Sequence, residues 1–249
     1  MTIIRRHNPK AGLFSHINFV ITCMEAYPDK SFHVDWTVGL PYSESERGNL
    51  FDQLFVQDPP PTASVSILTS WPHYNYTFRH AWNLYHGDDQ WRLRLNRIWS
   101  RLKVQGSVLK KAAEFAHAMP SDVVGVHIRN QHIADECPDY QAPSIADYLE
   151  IFEDTNCSIF LATDNLEAIN AFSKRFKSRL FFREIPRSPN MNSEFHLGSP
   201  QGFDEATDCL IDALLLAGCS HFIHSTSNIA TAVLYMNPSL EHLAICGRH

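Results

Sequence analysis

Polar side chains directly follow a buried-strand pattern near the middle of the chain. The run from Val123 to Val126 is β-branched apart from one glycine, as in the central strand of a sheet covered on both faces. His127 and Arg129 share one side of the extended chain, because successive strand residues point to opposite faces. At a strand end, the imidazole can contact a ring of a ligand and the guanidinium can bind its phosphate. The alternative is that Arg129 only pairs with a surface carboxylate.

Two other strand-like runs in the second half of the chain also end in polar residues. Thr163 and Asp164 follow one run, and Ser225, Thr226 and Ser227 follow another where a helix pattern begins. A helix start suits a phosphate because its first N–H groups lack partners, and a carboxylate accepts hydrogen bonds from a base or a ribose. Each set taken alone is also an ordinary helix N-cap. Since parallel strands end at one edge of a sheet, the three together favour a nucleotide site.

The second half is predicted to be a doubly wound parallel sheet. Short apolar runs alternate there with helical patterns, which is typical of α/β folds. Strands are predicted at residues 123–128, 158–162, 179–182, 221–224 and 242–246, with a long loop at 183–202. A break in the pattern after residue 104 predicts two domains, an acceptor-side α/β domain at 1–104 and a nucleotide-binding domain at 105–249.

The first half is predicted to contain helices and strands in a less regular order. Helices are predicted at 11–24, 49–55 and 88–102, and strands at 31–37 and 63–68. The last of these helices carries Arg92, Arg94, Arg97 and Arg101 between its apolar positions. The expected reading of these arginines is a solvated helix face.

Composition narrows the classes of function. The 249 residues are 44% hydrophobic and 19% charged, as in a globular protein with a sizeable core, and the net charge of −6 excludes a general attraction to nucleic acid. The N-terminus lacks the apolar run of a secretory signal and no apolar stretch reaches 18 residues, so a cytoplasmic protein without a membrane span is expected. The six cysteines form no CxxC pair, which indicates reduced thiols and no zinc site.

Common nucleotide and catalytic signatures are absent from the sequence. It contains no GxGxxG, no GxxxxGK[ST] and no GxSxG motif, which excludes a dinucleotide fingerprint, a Walker loop and a hydrolase nucleophile elbow. No DxD-type metal motif stands at the strand ends, so handling of a leaving phosphate without a metal ion is expected.

Three stretches together resemble the motifs of one family, in order and spacing. Val124-Gly-Val-His-Ile-Arg129 resembles the HxR motif of the GT-B glycosyltransferases that include α1,6-fucosyltransferases, nodulation fucosyltransferases and protein O-fucosyltransferases. Ile159-Phe-Leu-Ala-Thr-Asp164 resembles their second motif, a strand ending in LATD. Residues 208–230 resemble the third, a helix, a strand and a serine-rich turn.

This resemblance implies a GT-B-like fold of two Rossmann-like halves and a GDP-sugar-dependent glycosyltransferase. The implied enzyme transfers a sugar, fucose being expected, to a glycan or another hydroxyl acceptor with inversion and without a metal or other cofactor. By position, Arg129 would hold the β-phosphate, and His127 and Asp164 would contact the guanine. Ser225, Thr226 and Ser227 would line the phosphates.

The acceptor hydroxyl also requires a base. His16, Asp35 and Glu44 of the first half are the candidates for that base or for acceptor contacts. The loop at 183–203 and the aromatic stretch from Trp71 to His86 are the candidate acceptor surfaces.

The chain departs from the family pattern at two places. Asn130-Gln-His132 follows Arg129 where relatives have a second arginine or Gly-Thr-Asp, and Glu205-Ala-Thr207 stands where relatives carry Lys-Gly-Glu. These departures leave two alternatives open. One is a catalytically inactive member of the same fold that binds a nucleotide or a glycan, and the other is an α/β protein with a different phosphorylated ligand.

Overall fold

The structure is a computed structural model with two compact units. It describes residues 1–8, 11–38, 40–60, 66–71, 88–129, 142–189 and 202–245. One unit comprises residues 1–111 and 196–211, and the other comprises 112–195 and 212–249. The division into domains at residue 104 stays a prediction.

Helices and strands are numbered here in chain order within the described residues. The strands are β1 Thr2–Ile4, β2 Phe32–Val34, β3 Phe55–Val56, β4 Ser66–Leu68, β5 Lys103–Val104, β6 Val124–Ile128, β7 Ile159–Thr163, β8 Leu180–Phe181, β9 His221–His224 and β10 Glu241–Ala244. The α-helices are α1 Leu13–Ala26, α2 Leu50–Leu54, α3 Asp89–Trp99, α4 Gly106–Ala116, α5 Ile145–Glu150, α6 Leu166–Phe176, α7 Gly202–Ala217 and α8 Asn228–Met236. Turns of 3₁₀-helix lie at Ser45–Arg47 and Lys177–Arg179.

The second unit is built on a five-stranded parallel sheet in the order β8-β7-β6-β9-β10. From β6 the chain first proceeds outward through β7 to β8, and then returns to add β9 and β10 on the other side of β6. The direction of winding therefore reverses between β6 and β9. This arrangement confirms the predicted doubly wound parallel sheet, and it places the topological switch point between these two strands.

Apolar side chains cover both faces of this sheet. On one face, Val126 and Ile128 are fully buried in a cluster with Phe172 of α6. On the other face, a Cβ atom at Gly125 would lie 3.0 Å from Sγ of Cys219. Cys219 can approach β6 this closely because residue 125 has no side chain. A sheet buried on both faces explains the near-continuous apolar runs of its central strands.

The first unit contains a three-stranded parallel sheet in the order β2-β1-β4 and a separate antiparallel pair of β3 with β5. The central strand of the first sheet, β1, was not predicted from the sequence. Its three residues are too few for a period-two pattern to appear. The predicted strand at 31–37 is observed as the shorter Phe32–Val34.

Helix α3 corrects one prediction about arginines. The prediction of a solvated face is wrong for Arg92, whose side chain is buried and pairs with Asp89 one turn earlier. Arg94 forms an ion pair at 2.6 Å with Glu25 of α1. Helical spacing alone does not show that a neighbouring helix covers part of this face. Within the described residues, no helix is both long and apolar enough to cross a membrane.

Candidate functional site

The strand register brings the three predicted polar strand ends to one edge of the five-stranded sheet. His127 of β6 is paired with Ala162 of β7 on one side and with His224 of β9 on the other. The residues that follow these strands therefore emerge side by side at the switch point. In open α/β sheets, this crevice at the carboxyl ends of the strands is where ligands bind.

His127 is a buried and neutral imidazole. Its Nδ1 lies 3.2 Å from the carbonyl oxygen of Ala162, and because a carbonyl only accepts, Nδ1 carries the proton. Burial, together with the smaller effect of the charge of Arg129, lowers the pKa of His127 to about 4, although the hydrogen bond to Ala162 opposes this. Its Nε2 is buried without a hydrogen-bond partner among the residues that the structure describes. The ring therefore carries an acceptor lone pair at Nε2, which suits an N–H or O–H group of a ligand.

His224 occupies the matching position in β9 and has a different environment. Its Nδ1 donates to the carbonyl oxygen of Ser225 at 3.1 Å, so its Nε2 accepts from Nδ1 of His242 at 3.1 Å. The ring stacks on Phe222 at 4.5 Å, and burial lowers its pKa to about 3. This neutral histidine anchors the first residue of the serine-rich turn. No role was assigned to it from the sequence, although its position at the end of a strand, like that of His127, was visible there.

The serine-rich turn caps helix α8. The hydroxyl of Ser227 accepts a hydrogen bond from the backbone N–H of Ala230 at 3.0 Å, and Ser225, Thr226 and Ser227 are all buried. The N-cap interpretation of Ser227 is thus confirmed. The turn also lies at the start of a nine-residue helix beside the switch point, where the helix dipole favours an anion. Contact of these three residues with phosphates stays a prediction.

Asp164 does not cap the helix that follows it. The N-cap of α6 is Asn165, whose side chain accepts from the N–H of Ala168 at 2.9 Å. The carboxylate of Asp164 therefore stands at the end of β7 without the ordinary N-cap function. Arg129, one residue past the end of β6, is half-buried. Asn130, where the sequence departs from the family pattern, lies outside the described residues.

The three candidate residues of the first unit lie in different surroundings. His16 is completely buried, its Nε2 donates to the carbonyl oxygen of Asn8 at 3.2 Å, and its ring lies 6.0 Å from that of Trp36. Burial lowers the pKa of His16 to about 4. The geometry makes it a neutral, buried side chain.

The two carboxylates of this set are held by hydrogen bonds. Asp35 accepts from Nε of Arg5 at 2.9 Å and from the hydroxyl of Thr37 at 2.8 Å. Burial raises the pKa of Asp35, but the bonds from Thr37 and Arg5 outweigh it and hold the pKa below its usual value. Oε1 of Glu44 accepts from the backbone N–H of Phe203 at 2.9 Å in the first turn of α7. The roles of His16, Asp35 and Glu44 as a base or as acceptor contacts stay predictions.

Among the described residues, no cluster of three or more His, Cys, Asp or Glu side chains is placed to hold a metal ion. The aromatic stretch and the long loop proposed as acceptor surfaces lie largely at 72–87 and 190–201, outside the described residues.

The fold is like that of the GT-B fucosyltransferases. The structure is similar to the NodZ α1,6-fucosyltransferase co-crystallized with GDP, with a TM-score of 0.60 and 16% identity over 96% of this chain and 92% of that one. It is also similar to NodZ soaked with GDP-fucose (TM-score 0.57, 16% identity, 95% and 92% covered). A third similar structure is apo POFUT1 (TM-score 0.51, 10% identity, 98% and 97% covered).

The likeness is one of structure. By sequence, neither a family model nor a curated protein matches the chain. At these identities the similar structures establish the fold, and the chemistry has to be argued from the residues of this chain.

Proposed function

We propose that the protein is a glycosyltransferase that transfers a sugar, fucose in the favoured case, from a GDP-sugar to a hydroxyl group of a glycan or another acceptor. The observation that carries this proposal is the register at the switch point, where the ends of β6, β7 and β9 adjoin. The register places a cation and a helix start, which suit a diphosphate, close in the fold to a carboxylate, which suits the N–H donors of a base. The GDP and GDP-fucose named for the NodZ structures support the same class of donor.

The proposed chemistry is an inverting displacement without a metal ion. The acceptor oxygen attacks the anomeric carbon, the bond from that carbon to the β-phosphate oxygen breaks, and GDP leaves with the electron pair. The hydroxyl proton passes to a base. Negative charge grows on the β-phosphate, so a fixed guanidinium at Arg129 and the N–H groups at the start of α8 stabilise the transition state more than the ground state.

Recognition of the guanine ring of the donor is assigned to Asp164 and His127. The carboxylate of Asp164 accepts from N–H donors of guanine, and the bare Nε2 of neutral His127 accepts one further hydrogen bond. The turn of Ser225, Thr226 and Ser227 lines the phosphates. Guanine offers adjacent N–H donors that uracil lacks, so a carboxylate favours GDP over UDP.

The experiment that tests this function is turnover of GDP-fucose by the wild type and by Arg129→Ala. Release of GDP is expected from the wild type, and a loss of about 100-fold or more is expected in the variant, as when one transition-state donor is removed from other enzymes. Arg97→Ala, at an exposed position of α3, is the control that retains activity. Unchanged turnover in Arg129→Ala contradicts the role of Arg129.

A catalytically inactive binding protein of the same fold is the second candidate. The replacement of a second arginine by Asn130 favours it, because one positive charge near the leaving group is lost. Thermal shift with GDP, UDP and ADP separates the outcomes, since a ligand at 100 times its Kd stabilises the folded state by about 2.7 kcal/mol. Stabilisation by GDP without turnover selects the binding protein, whereas a larger shift with UDP contradicts both forms of the proposal.

A further inference from the structure

A short segment after β8 is attached to the end of β7. We call residues 183–189 the clamp segment. The backbone N–H of Ser188 donates to the carbonyl oxygen of Asp164 at 2.8 Å, and the N–H of Leu166 donates to the carbonyl oxygen of Ser188 at 2.8 Å. Ser188 thus forms a parallel bridge with Asn165 and is itself buried. The clamp segment holds the backbone on both sides of Asn165, immediately where β7 ends.

Arg187 cross-links the clamp segment to β7. Its Nε donates to the carbonyl oxygen of Thr163, the last residue of β7, at 3.1 Å. Its Nη1 donates to the carbonyl oxygen of Ile185 at 2.9 Å, and its Nη2 donates to that of Arg183. One guanidinium therefore joins three backbone carbonyls from two segments. Only the planar fork of an arginine supplies three donors in this geometry.

Arg187 is also surrounded by charged side chains that affect its pKa. Burial lowers the pKa of Arg187, whereas the carboxylates of Asp212, Glu184 and Asp164 raise it and Arg183 lowers it. Asp212 itself forms an ion pair with Arg183 at 3.2 Å between largely buried side chains. Asp164 is thus both fixed through its backbone by Ser188 and within electrostatic reach of the guanidinium.

We propose that Arg187 is a positioning residue that holds Asp164 in place to accept hydrogen bonds from the guanine base of the donor. This inference rests on the proposed function. Asp164 is an anion, so it repels the phosphates, which are assigned to Arg129 and the start of α8. The end of β7 is therefore the base side of the site. Removal of Arg187 takes away the cross-link between the clamp segment and Thr163, which loosens the end of β7 and weakens the binding of the guanine base, while the phosphate side keeps its own groups.

The test compares a ligand that has the base with one that lacks it. Dissociation constants for GDP and for inorganic pyrophosphate are measured by calorimetry on the wild type, Arg187→Ala and Arg179→Ala. Arg179 is a matched control, because its Nη1 also donates to backbone carbonyls, those of Cys157 at 3.0 Å and Thr155 at 3.4 Å. These residues precede β7, so the control cross-link lies at the opposite end of the same strand.

The expected result is selective. Arg187→Ala raises the Kd for GDP about tenfold or more, because the charge-assisted hydrogen bonds between Asp164 and guanine are weakened. It leaves the Kd for pyrophosphate within about twofold. Arg179→Ala changes neither constant by more than about twofold, although both variants lower the melting temperature. Arg187→Lys, which keeps the charge but lacks the fork, gives an intermediate Kd for GDP. This variant carries the comparison if the alanine variant fails to fold.

Four outcomes overturn the inference. Equal weakening of GDP and pyrophosphate in the Arg187 variants indicates a general structural role, as does the same weakening of GDP by Arg179→Ala. If the wild type binds GDP and the Arg187 variants bind it with an unchanged Kd, the inference is overturned but the proposed function is not. Binding of pyrophosphate but not GDP by the wild type overturns the proposed function and the inference with it.

Discussion

His127 and His224 lie at paired positions near the ends of the neighbouring strands β6 and β9, and they share one hydrogen-bonding arrangement. Each donates its Nδ1 proton to a backbone carbonyl and stays neutral because burial lowers its pKa. In His127 the remaining nitrogen is left as a buried acceptor, whereas in His224 it accepts from His242. The first is suited to a ligand and the second to holding the serine-rich turn. Two identical residues in matching positions thus differ in their hydrogen bonds because of one neighbouring ring.

A single glycine lets a helix approach β6. A Cβ atom at residue 125 would lie 3.0 Å from Sγ of Cys219 and 3.1 Å from Cδ2 of Leu216. We expect Gly125→Ala to lower the free energy of unfolding by about 1–3 kcal/mol, since the added methyl group overpacks this side of the sheet. Gly106→Ala is the control, because a Cβ there meets no atom within 4 Å. Urea titration measures both, and equal stability of the two variants would refute the close approach.

At the scale of elements, a comparison of two serine N-caps distinguishes a contribution to stability from a contribution to ligand binding. Ser227 caps α8 beside the switch point, and Ser144 caps α5 with a capping box. We expect each Ser→Ala variant to lose about 1 kcal/mol of stability, the usual cost of a lost N-cap. Only Ser227→Ala should also weaken GDP binding, which calorimetry measures. If Ser144→Ala weakens it as much, the serine-rich turn has no specific contact with the phosphates.

Prediction from sequence succeeded for elements with a strong local signal. The bounds of β9 agree with the prediction, and those of β6 differ by one residue, because apolar runs mark these strands. It failed where the signal is short or distant. The central strand β1 has three residues, and the burial of Arg92 depends on the packing around α3. Neither fact has a local pattern from which it could be read.

At the scale of the whole molecule, buried histidines make stability depend on pH. Burial lowers the pKa of His16 and His127 to about 4 and that of His224 to about 3. In the unfolded chain these groups have a pKa of ~6.5. Below that pH the unfolded state binds more protons, so the free energy of unfolding falls as the pH drops from about 6.5 towards 4, by up to ~1.4 kcal/mol per pH unit for each histidine.

The corresponding experiment measures melting temperature between pH 7 and pH 5. We expect a steady decrease in the wild type and a smaller decrease in His224→Gln, which lacks one of the three groups. His221→Gln is the control, since His221 begins the same strand β9 but is exposed. An equal decrease in the wild type and in His224→Gln would show that the burial of His224 does not contribute to the pH dependence.

The sequence by itself determined the alternation of strands and helices in the second half and the polar residues that end β6, β7 and β9. These features are local, because a strand, a cap and a turn are each encoded within a few neighbouring residues. The tertiary structure alone decided that His127 pairs with His224, 97 positions away, and that Arg187 joins the end of β7 to the clamp segment. These hydrogen bonds join residues that are distant in the chain, and the local sequence pattern does not show which residues will be partners. The sequence therefore identifies Arg129, His127 and the other residues of the switch-point site, and the fold determines how they are arranged.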